Sequence, residues 1–107
     1  MKAEVLYIAD CPNLAAARSQ TERLLKEHGV FGSVHEVEVP DRATAKRLAF
    51  EGSPTIRIDG EDVAISPGGA VPAFACRTYA VEGRLSGIPA DDLVRAAIRR
   101  ALDEPAK

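Results

Sequence analysis

The sequence predicts an α/β domain with the element order β-α-β-α-β-β-α and a mixed four-stranded sheet flanked by helices. One observation is the unbroken apolar run 5–9, followed by a helical pattern over 12–28, which is typical of a buried strand that leads into a helix. Another is the pair of short segments 55–58 and 61–65 on either side of Asp59-Gly60, the sequence of a tight hairpin. A strand-helix-strand unit requires a right-handed crossover and a parallel pair, whereas a hairpin is antiparallel. The sheet is therefore expected to be mixed.

The first strand is predicted over 3–9 and the first helix over 12–28. Pro12 suits the first helical position, where its missing N–H costs no hydrogen bond. Asp10 is expected to cap this helix and Gly29 to end it. This order delivers Cys11 to the N-terminus of a helix. The partial positive charge there favours a thiolate, which is the nucleophilic form of cysteine and the form that binds soft metals.

A second strand is predicted over 33–39, and its polar residues favour the edge of the sheet. A helix over 42–50 should follow, capped by Asp41, with Ala45, Leu48 and Ala49 inward. The Asp59-Gly60 turn predicts that Arg57 lies opposite Asp62. The residues expected on the buried face of this hairpin are Ile56, Ile58, Val63 and Ile65.

Residues 66–89 are predicted to form an extended loop that contains a short ordered piece at 74–79. A loop of this length in a compact domain is usually functional or disordered, and its apolar content argues against disorder. The last helix is predicted over 90–102, with acidic residues in its first turn and a buried stripe of Val94, Ala97, Ile98 and Ala101.

The composition fits a single domain over 1–107. A net charge of −2, with no block of one sign and no tryptophan, gives no indication of nucleic acid or an anionic membrane as a partner. No apolar run approaches the ~18 residues of a transmembrane helix. Glu4 stands where a signal peptide would be apolar, so a cytoplasmic location is expected. Two cysteines in a reducing compartment point to redox, catalytic or metal chemistry.

Three segments resemble the thioredoxin-like superfamily: the turn Ile8-Ala9-Asp10-Cys11-Pro12, the segment Gly52-Ser53-Pro54-Thr55 and the Asp59-Gly60 hairpin. The chain also looks like small bacterial thioredoxin-like proteins with a Cys-Pro-Asn turn, some of which are encoded near mercury-resistance genes. The resemblance covers about residues 3–65 and the last helix. It implies that Pro54 follows a cis peptide bond and lies against Cys11, with Ser53 and Thr55 beside it.

The sequence departs from the Cys-x-x-Cys motif of thioredoxins, because Leu14 stands where the second cysteine would be. In the topology that the resemblance implies, the loop 66–89 begins beside Cys11. Cys76 is therefore a candidate partner for Cys11, and the length of the intervening chain is no obstacle to a disulfide. Arg77 and Tyr79 are expected to support the site, since an arginine next to a thiol lowers the pKa of that thiol.

Three functions remain open from the sequence. The first is thiol–disulfide exchange, in which Cys11 attacks a protein or small-molecule disulfide and Cys76 resolves the product, as in an oxidoreductase. The second is binding of a thiophilic metal or metalloid, such as mercury, by both cysteines. The third is a non-catalytic binding module. No cofactor is expected, the histidines show no zinc-site spacing, and the oligomeric state stays open.

Overall fold

The computed structural model describes residues 1–64, 68–69 and 71–103. In chain order the elements are β1 (Ala3–Tyr7), α1 (Leu14–Glu27), β2 (Val34–Glu38), α2 (Arg42–Arg47), β3 (Thr55–Ile58), β4 (Glu61–Asp62), β5 (Tyr79–Val81), β6 (Arg84–Ser86) and α3 (Asp91–Asp103). The class is therefore mixed α/β. In the described part of the chain no helix is long and apolar enough to cross a membrane.

The main sheet has four strands in the order β2-β1-β3-β4. Strand β1 is parallel to β2 and antiparallel to β3, which confirms the prediction of a mixed sheet. Strand β2 is an edge strand, as its polar residues indicated. Leu6 near the end of β1 lies opposite Thr55 at the start of β3. The segment that follows β1 and the segment that precedes β3 therefore meet at one edge of the sheet.

Two hydrophobic clusters cover the two faces of this sheet. On one face, α1 and α3 pack on strand residues such as Val5 and Ile56, both of which are fully buried. On the other face, α2 and the fully buried Phe50 pack on Leu6. The alternation of Val5 and Leu6 between the two clusters follows from the period of two in a strand.

Polar contacts tie α1 to the start of α3. The Gln20 amide nitrogen donates to the carbonyl of Pro89 at 2.7 Å and to the carboxylate of Asp91 at 2.9 Å. Arg23 also donates to Asp91. The hydrogen bond from Gln20, followed by that from Arg23, lowers the pKa of Asp91. These bonds fix the segment 87–90, which joins the second hairpin to α3.

The first hairpin follows its predicted register. Arg57 lies opposite Asp62, and the Val63 N–H donates to the Ile56 carbonyl at 3.0 Å. Asp59 and Gly60 have φ angles of 51° and 83°, as a two-residue turn of this type requires. The predicted buried face is confirmed for Ile56, Ile58 and Val63, and Ile65 lies outside the described residues.

Two predictions about the helices are wrong. Helix α1 begins at Leu14 with Asn13 at its N-cap position, so Pro12 is not the first helical residue and Asp10 does not cap the helix. Asp10 instead has a φ of 62° in a separate turn. Helix α2 ends at Arg47, and Ala49 is exposed with a φ of 53°. The buried position that was expected at Ala49 is taken by Phe50.

The prediction of one extended loop over 66–89 is also wrong in part. Strands β5 and β6 form a second hairpin, with Tyr79 opposite Ser86. Its turn residues Glu82 and Gly83 have φ angles of 51° and 78°. Glutamate is uncommon at a position with positive φ, so the turn lacks the Asn-Gly or Asp-Gly signature that marks most two-residue hairpins. Residues 65–67 and 70 lie outside the described part of the chain.

Candidate functional site

The candidate site lies at the sheet edge where β1 ends and β3 begins. The Ile8 N–H, just after β1, donates to the Ser53 hydroxyl oxygen at 3.1 Å. The Cys11 N–H donates to the Ile8 carbonyl at 3.3 Å and closes the turn that contains Asp10. Two hydrogen bonds, both of which involve Ile8, thus connect Cys11 to Ser53 in the segment before β3.

Cys76 lies in a segment that is distant in sequence and pairs with Ser53. Ser53 and Cys76 form an isolated parallel bridge. The Ser53 N–H donates to the Ala75 carbonyl at 2.8 Å, and the Arg77 N–H donates to the Ser53 carbonyl at 2.9 Å. Side chains of residues paired in this way leave the backbone on the same side, because the side-chain direction alternates along each strand. The Cys76 side chain therefore shares a side with the Ser53 hydroxyl, which contacts the turn of Cys11.

Both cysteines are free thiols, and they differ in exposure. Cys11 is partly buried, whereas Cys76 is exposed. Cys11 lies three residues before the first residue of α1, in a turn rather than in the first helical turn. The helix dipole falls off within one turn, so its action on Cys11 is weaker than the sequence implied.

Arg77 holds the Cys76 segment against the first hairpin. Its guanidinium donates to the Asp62 carboxylate at 2.8 Å, to the Thr55 hydroxyl at 3.0 Å and to the Ala64 carbonyl at 2.7 Å. Glu51 lies 4.0 Å from the same guanidinium. The Arg77 and Asp62 side chains are only 9% and 15% exposed. These contacts give Arg77 a structural role, because its ion pair with Asp62 joins the first hairpin to the segment of Cys76.

Tyr79 packs beneath this ion pair. Its hydroxyl donates to the Pro54 carbonyl, and the Arg77 guanidinium lies 4.7 Å from the centre of its ring. Burial is the main reason that the pKa of Tyr79 is raised. The hydroxyl therefore stays protonated and remains a hydrogen-bond donor to the carbonyl next to Thr55. The Ser53–Pro54 peptide bond is cis, as the resemblance implied.

Gly52 leaves room for the Cys76 segment to lie against the backbone of residues 52–53. Its φ is 121°, a conformation that side chains rarely adopt. A Cβ atom at this position would lie 2.9 Å from the Arg77 Cβ and 3.1 Å from the Ala75 carbonyl oxygen. The bridge between Ser53 and Cys76 therefore depends on the glycine before it.

Gly87, the residue after the second hairpin, lies against Asn13, two residues after Cys11. The Asn13 side chain lies so close to Gly87 that a Cβ atom there would be 2.3 Å from the Asn13 amide nitrogen. Pro12, between Cys11 and Asn13, is exposed on the surface. The segment around Cys11 is thus contacted by Gly87 on the side of Asn13 and is open to solvent at Pro12.

Hydrogen bonds and the bridge connect six of the residues expected at the site, namely Ser53, Pro54, Thr55, Cys76, Arg77 and Tyr79. Cys11 is related to them only through Ile8, whose N–H donates to Ser53, and Pro12 is exposed, with no hydrogen bond to them among the described residues. Sequence reasoning missed Gly52 and the acidic partner Asp62. A glycine before a Ser-Pro pair was the available signal for a tight backbone approach. Within the described ranges no group of three or more histidine, cysteine or acidic residues could hold a metal ion.

Comparison of the chain with protein-family models, with curated proteins and with solved structures gives no match.

Proposed function

We propose that this chain is a thioredoxin-like domain that carries out thiol–disulfide exchange through Cys11 and Cys76. The bridge between Ser53 and Cys76 is the observation that supports this function best. It pairs Cys76 with Ser53, whose hydroxyl accepts a hydrogen bond from Ile8 in the turn of Cys11. The two cysteines are separated by more than sixty residues of sequence, yet the segments of both lie beside Ser53.

The proposed reaction is a two-electron exchange. One protein thiolate attacks a sulfur of a substrate disulfide, a mixed disulfide forms, and the substrate's other sulfur leaves as a thiolate. The second protein thiolate then attacks the protein sulfur of the mixed disulfide and releases the remaining substrate thiolate. The protein is oxidised to the Cys11–Cys76 disulfide, and the substrate disulfide is reduced to two thiols. A reducing compartment such as the cytoplasm would supply the thiols that restore both cysteines.

Single-turnover reaction of the reduced protein with hydroxyethyl disulfide, a small neutral substrate, tests this function. The wild-type protein should release two equivalents of mercaptoethanol and finish with an intramolecular disulfide. Cys11→Ser and Cys76→Ser should each release one equivalent and remain as mixed disulfides, because each retains one thiol. Mass spectrometry of the quenched protein distinguishes these products. A wild-type protein that finishes with mercaptoethanol on both cysteines would show that the two thiols act independently.

Binding of a thiophilic metal ion such as mercury(II) is the second candidate function. It is favoured by two free thiols in segments that both contact Ser53, where the described residues form no group of three or more possible metal ligands. Two thiolates alone suit a soft ion that accepts two ligands, and they suit hard ions poorly. Mercury(II) bound in a one-to-one complex that either serine variant abolishes would support this function. If Cys11→Ser leaves the function of the protein intact, the remaining hypothesis is a non-catalytic binding module.

A further inference from the structure

A groove lies between α2 and the segment that leads into Cys76. It has a volume of about 510 Å³, and its lining residues are Arg42, Ala45, Lys46, Pro72, Ala73, Phe74 and Ala75. This volume is in the range of sites that hold small organic ligands. The last lining residue along the chain is Ala75, which is followed directly by Cys76.

The wall formed by α2 is cationic. Arg42 and Lys46 are four residues apart on the helix, so their side chains leave the same face, about one turn apart. In the part of the chain that the structure describes, neither of them takes part in an ion pair. The protein as a whole carries a net charge of −2, so these two cations are not part of a general positive surface. Their charge is available to an anionic ligand.

The opposite wall is apolar and is attached to the candidate site. Phe74 is 36% exposed, although it is a large aromatic residue. The Ala73 N–H donates to the Phe50 carbonyl at 2.8 Å, and the Ala75 carbonyl accepts from Ser53. The wall is therefore the beginning of the same strand segment that carries Cys76.

We propose that this groove binds organic disulfides that carry a carboxylate and presents them to Cys76, which makes Cys76 the entry thiol of the site. The inference rests on the proposed function. The carboxylate would lie between Arg42 and Lys46, and the hydrocarbon part would contact Phe74. The sulfur atoms would then leave the groove at its Ala75 end. This assigns the first attack to the more exposed of the two thiols, whereas the sequence indicated that Cys11 attacks first.

In the first step the Cys76 thiolate forms a bond to one sulfur of the substrate, the substrate S–S bond breaks, and a carboxylate-bearing thiolate leaves. In the second step the Cys11 thiolate attacks the Cys76 sulfur and displaces the second carboxylate-bearing thiolate. The protein loses two electrons and the substrate gains them, so no further oxidant or reductant is required for one turnover.

The test compares the rates at which dithiodipropionate, which is anionic, and hydroxyethyl disulfide, which is neutral, oxidise the reduced protein. Arg42→Gln/Lys46→Gln should slow the reaction of dithiodipropionate by about tenfold, within the range by which local charge raises association rates, and leave that of hydroxyethyl disulfide unchanged. The matched control is Lys26→Gln/Arg100→Gln, which removes the same two charges from α1 and α3 on the other face of the sheet. It should leave both rates unchanged.

The single-cysteine variants test which thiol the groove serves. In Cys11→Ser the remaining Cys76 should still react faster with dithiodipropionate when Arg42 and Lys46 are present than when they are replaced. In Cys76→Ser this dependence on the two cations should disappear. The inference would be overturned if the dependence on the two cations survived only in Cys76→Ser. It would also be overturned if Arg42→Gln/Lys46→Gln changed neither rate in the protein that keeps both cysteines. Failure of the proposed function would be seen separately, in the reaction with hydroxyethyl disulfide. Both cysteines of the wild-type protein would then finish as mixed disulfides with mercaptoethanol.

Discussion

Arg77→Met is expected to lower the free energy of unfolding by about 3–5 kcal/mol, the cost of removing one partner from a buried ion pair. The substitution leaves the Asp62 carboxylate only 15% exposed and without the guanidinium that lies 2.8 Å from it. It also removes the hydrogen bonds to the Thr55 hydroxyl and the Ala64 carbonyl. Urea denaturation of the wild-type protein and the variant measures the difference.

Arg95→Met is the control for this prediction. Arg95 pairs with Glu27 and Asp92 on the outer surfaces of α1 and α3, so its loss should cost much less. Adding Asp62→Asn to Arg77→Met should restore part of the lost stability, since no unpaired buried carboxylate then remains. Equal losses for Arg77→Met and Arg95→Met would show that the Arg77 ion pair is not buried in solution.

Gly52→Ala is expected to destabilise the protein by about 2–5 kcal/mol, because a positive φ and a steric overlap both oppose the methyl group. The overlap involves the Arg77 Cβ at 2.9 Å and the Ala75 carbonyl oxygen at 3.1 Å. Both atoms belong to the segment that pairs with Ser53, so the bridge to Cys76 should open before the main sheet does. The two measurements are urea denaturation and the yield of the Cys11–Cys76 disulfide after oxidation.

Gly29→Ala is the control that separates the strain of a positive φ from the effect of the steric overlap. Gly29 has a φ of 72°, but a Cβ atom there would meet nothing within 4 Å. Its replacement should therefore cost only the conformational strain, about 1 kcal/mol, and leave the disulfide yield unchanged. If Gly52→Ala cost no more than Gly29→Ala and kept the full yield, the close approach of the Cys76 segment would be refuted.

The parts of the fold that depend on local patterns were predictable from the sequence. The Asp59-Gly60 turn specified the register of the first hairpin, and the apolar stripe of the last helix identified Val94, Ala97 and Ile98 as buried. The turn at Glu82-Gly83 was not predicted, because glutamate carries no preference for a positive φ. The start of α1 was placed too early because the Asp10 turn separates Cys11 from the helix.

The geometry of the site was harder to predict because it depends on contacts between distant segments. Nothing in the local pattern around Cys76 indicates a parallel bridge to Ser53, since such a pairing leaves no turn signature between the two strands. Arg77 was expected to support a thiol. The described hydrogen bonds of its guanidinium go instead to Asp62, Thr55 and Ala64, an arrangement that only the tertiary fold determines.

Disulfide mapping tests the pairing of Cys11 with Cys76 most directly. The protein is equilibrated at low concentration with a series of dithiothreitol redox buffers, the free thiols are alkylated, and the proteolytic peptides are identified by mass spectrometry. The pairing predicts one cross-linked species, Cys11 to Cys76 within a single chain, whose fraction follows a single two-electron transition. Chains that stay unlinked, or that link only through Cys76 of one chain to Cys76 of another, would contradict it.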